Sequence, residues 1–156
     1  MCVPSTILAP AYFMENVFNP WNLASLRAGR YPSPVGVDTV LQQVAIEDIA
    51  RFVALVVGGA EELAGERIEL ASDELSGWEA AAIATRASGR ALAFQDVLHE
   101  GVIGGGPATF FAWLEREGTR VDIPALHQRF PEVGWLTFEQ WARRQPWPAV
   151  LDVDTR

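Results

Sequence analysis

The sequence predicts a single α/β domain, and three kinds of pattern carry that prediction. The apolar and β-branched segment from Val3 to Leu8 is typical of a buried parallel strand, which Pro10 ends because it lacks a backbone donor. Apolar residues recur at helical spacing between residues 49 and 56, which predicts an amphipathic helix. Two capping boxes mark further helix starts. A chain of 156 residues suits one domain with mixed strands and helices.

The first third of the chain contains four predicted elements. A short helix is predicted around residues 21–28, ending at Gly29. The prolines and glycines of residues 29–38 predict a loop after it. A short strand follows at residues 41–46. Asp48 then stands where it would cap the amphipathic helix, whose apolar positions are Ile49, Phe52, Val53 and Val56.

The middle of the chain predicts a strand, a helix and a second strand. "GERIELA" at residues 65–71 alternates as a strand does, and Ser76 with Glu79 has capping-box spacing for a helix that closes at Gly89. "RALAFQDV" at residues 90–97 alternates again. These elements form a strand, loop and helix unit followed by another strand.

The last third is predicted to be mostly helical. A glycine-rich segment at residues 101–107 leads into an aromatic, amphipathic stretch that stops near Gly118. Asp122 is expected to cap the next helix, and Thr137 with Gln140 forms the second capping box. The final residues, LDVDTR, are expected to be disordered.

The charge balance narrows the classes of partner. The chain carries 20 acidic and 12 basic residues, for a formal net charge of −8, which repels phosphate backbones and anionic lipid headgroups. We therefore expect neither nucleic acid nor a membrane as a partner. All of the basic residues are Arg, so no lysine is present to form a Schiff base or relay a proton. The single cysteine, Cys2, fits a reducing cytoplasm, and no signal peptide or membrane span is evident.

The histidines and acidic residues give weak signals for catalysis or metal binding. His99 and His127 stand outside any metal-ligand motif. His99 borders the glycine-rich segment and is either a general acid near a pocket or, more commonly for such a position, a solvated loop residue. Glu47 and Asp48 form a pair of carboxylates, which without further ligands is a weak signal for cation binding, and we predict no metal site.

Aromatic and hydroxyl side chains also have ordinary structural explanations. Ser72 and Ser76 lack a nucleophile-elbow motif, which gives a hydrolase no support. Four tryptophans crowd the last third of the chain, where aromatics at helical spacing are usually core and only a minority line a pocket: Trp113, Trp135, Trp141 and Trp147.

Four segments, taken in order, carry a resemblance to one family. They are "TILAPAYFMEN", "LQQVAIEDIARFVAL", "GERIELASDELSGWEAA" and "DIPALHQRFPEVGWLTFEQWA". In this order the chain resembles the NmrA-like proteins, atypical members of the short-chain dehydrogenase/reductase superfamily that bind NAD(P). The resemblance spans nearly the whole chain and covers only that family's carboxyl-terminal half. The amino-terminal half, with its glycine-rich pyrophosphate loop, has no counterpart in this sequence.

The resemblance implies a partial Rossmann-like fold, with the last parallel strands and a mostly helical substrate-side part. The whole chain, 1–156, is then one NmrA-like fragment. Its expected parts are a sheet part at 1–16 and 41–71, a substrate-side part at 17–40 and 72–147, and a tail at 148–156.

The resemblance also implies a ligand site where the first strand ends, since ligands of open α/β sheets bind at the carboxyl ends of strands. The residues expected against the nicotinamide of NADP or NAD are Pro10, Ala11, Tyr12 and Phe13. Asn16 and Tyr31 are expected to contact a small-molecule substrate. The alternative is that Tyr12 and Phe13 are core and that Glu15 with Asn16 caps the following helix. Ala9 stands where the family usually has Arg, which removes one charged contact.

The sequence departs from the family's phosphate-binding and proton-transfer motifs. "GVIGGGPATFF" is a near miss for a pyrophosphate loop, because Thr109 or Pro107 stands where the last glycine should be. A lid or connector is the commoner role for such a segment. The superfamily's Tyr and Lys pair is also missing, since Asn16 follows Tyr12 and Val35 follows Tyr31 at that spacing.

Three functional hypotheses follow. The first is an NAD(P)-binding, oxidoreductase-like protein that lacks its dinucleotide-binding half, with catalytic residues unknown. The second is a non-catalytic module that senses the redox state of nicotinamides and regulates a protein partner. The third is a truncated product without independent activity, in which the apolar strand near Met1 leaves an unpaired edge and promotes self-association.

Overall fold

The computed structural model describes residues 5–59, 61–102 and 104–152, which form a mixed α/β fold. The strands are β1 (Ile7–Pro10), β2 (Tyr12–Phe13), β3 (Arg30–Ser33), β4 (Val40–Val44), β5 (Arg67–Leu70), β6 (Asp73–Ser76) and β7 (Ala93–Asp96). The helices are α1 (Pro20–Arg27), α2 (Ile46–Val57), α3 (Gly77–Ser88), α4 (Gly105–Glu117), α5 (Ile123–Arg129), α6 (Phe138–Ala142) and α7 (Trp147–Leu151). Short 3-10 turns occupy Met14–Phe18, Glu61–Leu63 and Pro131–Val133. This confirms the predicted fold class.

Parallel pairing dominates the described strands. β1 pairs with β5, β2 with β4, and β3 with β7, each in parallel, while β6 runs antiparallel to β4. The chain passes from β1 to β2 through Ala11, so the first strand changes neighbour at that point. Two sheets therefore meet where β1 ends.

Three apolar clusters form the core: a small one of Val35, Leu41 and Leu114, against which Tyr12 and Phe111 pack, and two larger ones. One of the larger clusters gathers around Phe138, Trp141 and Trp147 between α1, α3 and the last helices, and the other around Phe52 and Leu70 under α2. Fully buried large side chains occur in both larger clusters, which is what a chain of this size needs for a stable core. No helix among the described residues is long and apolar enough to span a bilayer.

Several predicted elements are confirmed by their caps. Ser76 and Glu79 form a reciprocal capping box at α3, which ends at Gly89 in the left-handed conformation. Thr137 and Gln140 do the same at α6. Asp122 accepts a hydrogen bond from the N–H of Ala125 at 3.0 Å and so caps α5.

Two segments that were predicted as loop are strands. Residues 30–33 form β3, because this segment pairs in parallel with β7 despite Pro32. "DELS", for which no strand was predicted, is β6. Residues 147–151, partly assigned to a tail, form α7, and Leu151 is buried against the larger cluster. Residues 1–4 and 153–156, which include the predicted strand start at Val3, lie outside the described residues.

The predicted cap of α2 was also wrong. The helix begins at Ile46, and its first N–H donates to the carboxylate of Glu15 at 3.1 and 3.2 Å. Glu15 therefore caps a helix thirty-one residues away in sequence rather than the one that follows it. The same carboxylate accepts a hydrogen bond from the indole N–H of Trp141 at 2.9 Å, which ties α2 and α6 to the first strand's end.

Asp48 lies inside the first turn of α2 and is completely buried. Its Oδ2 accepts hydrogen bonds from the hydroxyl of Ser72 at 2.6 Å and from the N–H of Leu136 at 3.0 Å. Arg51 contacts Oδ1 at 3.3 Å. Burial raises the pKa of the carboxyl group against the opposing effect of these donors. The carboxylate therefore joins α2 to the β5–β6 connection and to the segment before α6.

We expect Asp48→Ala to lower the free energy of unfolding by about 2–4 kcal/mol, because it leaves a buried N–H and a buried hydroxyl without an acceptor. Urea unfolding followed by far-ultraviolet circular dichroism measures this change.

Glu47→Ala is the matched control on the same turn of α2. Glu47 is half exposed and pairs with Arg51 and Arg144 at the surface, so its loss is expected to cost less than about 1 kcal/mol. Equal losses in the two variants would contradict the structural role assigned to Asp48.

Candidate functional site

A large pocket opens where β1 passes into β2. Its volume is about 820 Å³, which lies in the range typical of sites for small molecules. One wall is the chain from Ala9 to Asn16, and the facing wall is α4 with the segment 118–121 that follows it. The outward face of β5 completes the pocket through Arg67 and Glu69.

The first wall contains five of the six residues predicted to bind ligand. Pro10 ends β1, and Ala11 donates its N–H to the carbonyl of Leu70 at 2.8 Å, which fixes the strand end against β5. The five residues that line the pocket are Pro10, Ala11, Tyr12, Phe13 and Asn16. The structure therefore brings these five residues together around one space.

Asn16 is held by its own segment rather than by a helix cap. Its backbone carbonyl accepts a hydrogen bond from the buried side chain of Asn22 at 2.9 Å, and its Oδ1 accepts one from Asn19 at 3.3 Å. The alternative that Asn16 caps α1 through its side chain is wrong, because Asn19 occupies the cap position and no side chain bonds there.

Tyr31 is the sixth predicted residue, and it does not line this pocket. It lies in β3, buried, with its ring edge-to-face against Phe138 at a centroid distance of 6.5 Å. Parallel pairing with β7 places Tyr31 in the core, beside a cavity of only about 10 Å³. Because residues 29–38 were predicted to be a surface loop, the sequence analysis did not anticipate the burial of Tyr31.

Burial raises the pKa of both tyrosine hydroxyls above the usual value. Tyr12 packs its ring edge-to-face against Phe111 at 6.1 Å, and no lysine exists in the chain to stabilise a phenolate. Both phenols therefore keep their protons, which is the opposite of what a proton relay of the Tyr and Lys type needs.

The second wall is an aromatic face of α4. Phe110, Phe111, Trp113 and Leu114 all line the pocket, and of these Leu114 alone is buried. Phe110 is 52% exposed and Trp113 44% exposed, and their rings contact each other at 6.1 Å, so they form a contiguous apolar surface. The sequence favoured the core for the four late tryptophans and left a pocket-lining role for one or two of them as the minority alternative, which Trp113 takes. Aromatics at helical spacing look the same whether they face a core or a pocket.

α4 is held to the rest of the protein by Glu115. Oε1 of Glu115 accepts hydrogen bonds from the N–H of Gly36 at 2.7 Å and from the hydroxyl of Thr39 at 3.3 Å. A Cβ atom at Gly36 would lie 2.9 Å from this oxygen, so a larger residue there would require the Glu115 carboxylate to shift. Oε2 lies 3.4 Å from Nε2 of His99.

His99 bridges two carboxylates at the end of β7. Its Nδ1 lies 2.8 Å from Oδ2 of Asp96, and its Nε2 faces Glu115 on α4. The hydrogen bond to Asp96 and the two negative charges raise the pKa of the imidazole. His99 does not line the pocket, so the general-acid hypothesis gains no geometric support from the structure.

The glycine-rich segment and the other weak candidates lie away from the pocket. The described glycines from Gly101 to Gly106 do not line it. His127 stacks on Trp135 at 5.0 Å and packs as a structural residue. Within the described ranges, no three His, Cys, Asp or Glu residues are placed to hold a metal ion.

Comparison with known proteins establishes the family of the chain. A model of the NmrA-like family matches residues 1–103. The chain belongs to the NmrA-like family. The match covers the strand end, β3–β4, α2, α3 and β7, and it stops before α4 begins.

Several solved structures share the fold of this chain. A nucleoside-diphosphate-sugar epimerase from Staphylococcus aureus superposes with a TM-score of 0.65 at 20% identity, covering 91% of this chain and 53% of that one. NmrA, described as a negative transcriptional regulator, superposes in complex with NAD (TM-score 0.60, 16% identity, 97% and 55% coverage) and with NADP (0.61, 15%, 99% and 56%).

This NmrA-like chain spans about half the length of the solved structures that it matches. No curated protein sequence matches it significantly. At these sequence identities the similarity establishes the fold alone. The NAD and NADP are ligands of the NmrA structures.

We expect the His99 contact to stabilise the NmrA-like domain at low pH and not at high pH. The folded-state pKa is raised, so the contribution of the imidazolium is fully present below the unfolded value of about 6.5 and is lost as pH rises through the folded value. Thermal melting should show wild type more stable than His99→Gln at about pH 6, with the difference gone near pH 9.

Glu115→Gln provides the control, since it keeps an acceptor for Gly36 and removes the negative charge on α4. In this background the effect of His99→Gln at low pH should shrink to the part that Asp96 supplies. A difference between wild type and His99→Gln that is the same at both pH values would contradict the ion-pair role.

Proposed function

We propose that this chain forms the nicotinamide-side and substrate-side part of an NmrA-like NAD(P)-binding protein of oxidoreductase type. The observation that carries the proposal is the placement of Pro10, Ala11, Tyr12 and Phe13 at the carboxyl end of parallel β1, along one wall of a large aromatic pocket. Ligands of open α/β sheets bind at such strand ends. Two NmrA structures with this fold contain NAD and NADP, which favours the same class of cofactor.

The described residues fit one end of a dinucleotide better than the other. A nicotinamide ring suits the part of the pocket that Phe13, Phe110 and Trp113 line, beside the packed rings of Tyr12 and Phe111. The amide of Asn16 matches the ring's carboxamide in hydrogen-bonding type. A pyrophosphate needs a glycine-rich turn between a strand and a helix, and the glycines that precede α4 do not line the pocket. We therefore propose that a dinucleotide-binding half outside this chain completes the site.

When bound, a reduced nicotinamide supplies a hydride, and the chain's own residues do the rest. The strand end would hold the ring, and the aromatic face of α4 would exclude water from it. The catalytic residues of such a reaction stay unassigned, because neither tyrosine is set up to release a proton.

A second candidate function is a non-catalytic sensor of nicotinamide redox state. The raised pKa of Tyr12 favours it, since a phenol that holds its proton is a poor general acid but a sound hydrogen-bonding wall. The NmrA structures are those of a negative transcriptional regulator in complex with NAD and with NADP, and a regulatory role is part of this second candidate function.

The proposal also covers the cellular location and the self-association of the protein. A single cysteine and no lysine suit a cytoplasmic protein without structural disulfides. Among the described residues β1 pairs with β5 alone, and Ile7 is half exposed, which favours association through this strand edge. Sedimentation velocity at rising concentration tests that association.

We expect reduced nicotinamide mononucleotide, NADH and NADPH to bind this chain with similar dissociation constants of about 1 mM, because only the nicotinamide end finds its site here. Tyr12→Ala should weaken all three ligands about equally, since it removes the wall that they share. Two-dimensional NMR of the tryptophan indole N–H groups, with Trp113 assigned by substitution, measures the binding.

Trp78→Phe is the matched control, because Trp78 is exposed and lies outside the pocket. Binding that is unchanged in Tyr12→Ala would contradict the proposed site. Turnover of quinone or enone substrates, measured after a dinucleotide-binding half is added, would favour the enzyme, whereas binding without turnover favours the sensor.

A further inference from the structure

Three large aromatic side chains line the pocket and stay open to solvent. Trp21, in the first turn of α1, is 60% exposed, and Phe110 and Trp113 on α4 are about half exposed. In another part of the pocket the two walls touch, because the rings of Tyr12 and Phe111 pack against each other. The open rings therefore mark the part of the pocket that has room for a ligand.

Trp21 extends the first wall of the pocket from a backbone that is fixed on both sides. The N–H of Asn19 donates to the carbonyl of Asn16 at 3.1 Å, and the N–H of Asn22 donates to the carbonyl of Asn19 at 2.8 Å. The buried side chain of Asn22 also donates to the carbonyl of Asn16 at 2.9 Å. Trp21 thus lines the pocket from a turn whose neighbouring residues are already hydrogen-bonded.

The backbone at Trp113 on the second wall is fixed in a similar way. The next residue, Leu114, is buried in the small apolar cluster, and Glu115 after it accepts a hydrogen bond from the N–H of Gly36 at 2.7 Å. Both tryptophans are therefore exposed rings on ordered backbone. A ligand that packs on them pays little for ordering the protein, which favours binding.

The formal charges of the pocket lining cancel. Two arginines, Arg67 and Arg120, and two glutamates, Glu69 and Glu117, line the pocket. Arg67 lies 3.8 Å from Glu69, and Glu117 pairs with Arg116 at 2.9 Å. An ion that left water for the aromatic surface would find no excess of opposite charge among the described lining residues, so an uncharged ligand is favoured.

The pocket is also larger than a nicotinamide needs. Its volume of about 820 Å³ lies in the upper part of the range for sites that enclose drug-sized molecules, whereas nicotinamide is a single ring. The part proposed for the nicotinamide is lined by Phe13, Phe110 and Trp113. Trp21 is the exposed ring that this placement does not use.

We propose that Trp21 binds the flat, fused ring system of an uncharged second molecule, which lies beside the nicotinamide and against the aromatic face of α4. Offset stacking and edge-to-face packing are the arrangements that aromatic pairs prefer, and both are open to an exposed indole. The inference rests on the proposed function, since it names the class of substrate for the same pocket.

The test uses an uncharged aromatic dye, N-phenyl-1-naphthylamine, which fluoresces in apolar surroundings. Fluorescence titration of the folded protein gives its dissociation constant. We expect Trp21→Ala and Trp113→Ala each to weaken the dye about tenfold, because each removes one ring from the site. Trp21→Phe should stay within about threefold of wild type, since it keeps an aromatic ring at that place.

Trp78→Ala is the matched control. Trp78 is 61% exposed on α3, as open as Trp21, and it does not line the pocket. A loss of dye binding in Trp78→Ala as large as in Trp21→Ala would overturn the proposal, since the dye would then bind exposed tryptophans wherever they lie. Equal affinity of wild type and Trp21→Ala for the dye would also overturn it.

Three competitors with the same ring system test the charge of the ligand. 1-Naphthalenemethanol is uncharged, 1-naphthoate is an anion, and protonated 1-naphthylmethylamine is a cation. We expect the alcohol to displace the dye at the lowest concentration, because either ion gives up its hydration without gaining an excess of opposite charge. Displacement by either ion at the same or a lower concentration would overturn the assignment of an uncharged ligand.

Reduced nicotinamide mononucleotide distinguishes this inference from the proposed function. It should bind together with the dye, and Trp21→Ala should leave its dissociation constant within about twofold of wild type. If the mononucleotide binds but the dye does not, or if the two displace each other, the second site fails and the proposed function stands. If neither binds, the pocket fails as a ligand site and both fail.

A second copy of the chain is the other possible occupant of the exposed rings. Sedimentation velocity of wild type, Trp21→Ala and Trp113→Ala tests it. We expect the three proteins to associate to the same extent. Association that both substitutions abolish, in a wild-type protein that does not bind the dye, would make this surface a contact between copies and overturn the proposal.

Discussion

The buried carboxylate of Asp48 is the interaction on which the described fold depends. It satisfies donors from three separate segments: its own helix turn through Arg51, the β5–β6 connection through Ser72, and the chain before α6 through Leu136. An ionisable group without any solvent exposure is tolerated only when its oxygens are hydrogen-bonded. The carboxylate thereby fixes α2 to the β5–β6 connection and to the segment before α6.

The candidate site inherits its geometry from that arrangement. α2 begins at Ile46, and the carboxylate that caps it belongs to Glu15, directly after the strand end that lines the pocket. The pocket wall is therefore part of the helix cap, and movement at Tyr12 or Phe13 would disturb the start of α2. On the opposite side, Gln42 fixes residue 121 and Glu115 fixes α4 against Gly36. Each wall is held by a polar side chain that itself lies outside the aromatic surface.

The pocket is better suited to binding a ligand than to transferring a proton. Its aromatic walls suit flat, conjugated molecules, and the tyrosine beside them keeps its proton because burial disfavours the phenolate. In a cofactor-dependent reaction this is sufficient for orientation and for exclusion of water. In a sensor it is all that is needed. The two candidate functions thus share one structure and differ only in what the completed site does with the bound nicotinamide.

Local sequence signals predicted the elements that local physics controls. The capping boxes at Ser76 and Thr137 and the cap at Asp122 lie as expected, because each depends on donors only three residues away. The resemblance carried by "TILAPAYFMEN" placed five of the predicted residues at one pocket. Predictions failed where the partner is distant: residues 29–38 were expected to be loop, and Asp48 was expected to cap α2.

The sequence by itself determined the α/β class, the family and the strand end at Pro10, since periodicity, caps and motif order are properties of short segments. Only the tertiary structure decided which polar groups meet. Parallel pairing with β7 turned a proline-containing segment into a strand and buried Tyr31, because a strand needs a partner that no local pattern names. Packing likewise put Trp113 on the pocket and Trp147 in the core, because a large apolar side chain suits either place and only what lies opposite it decides between them.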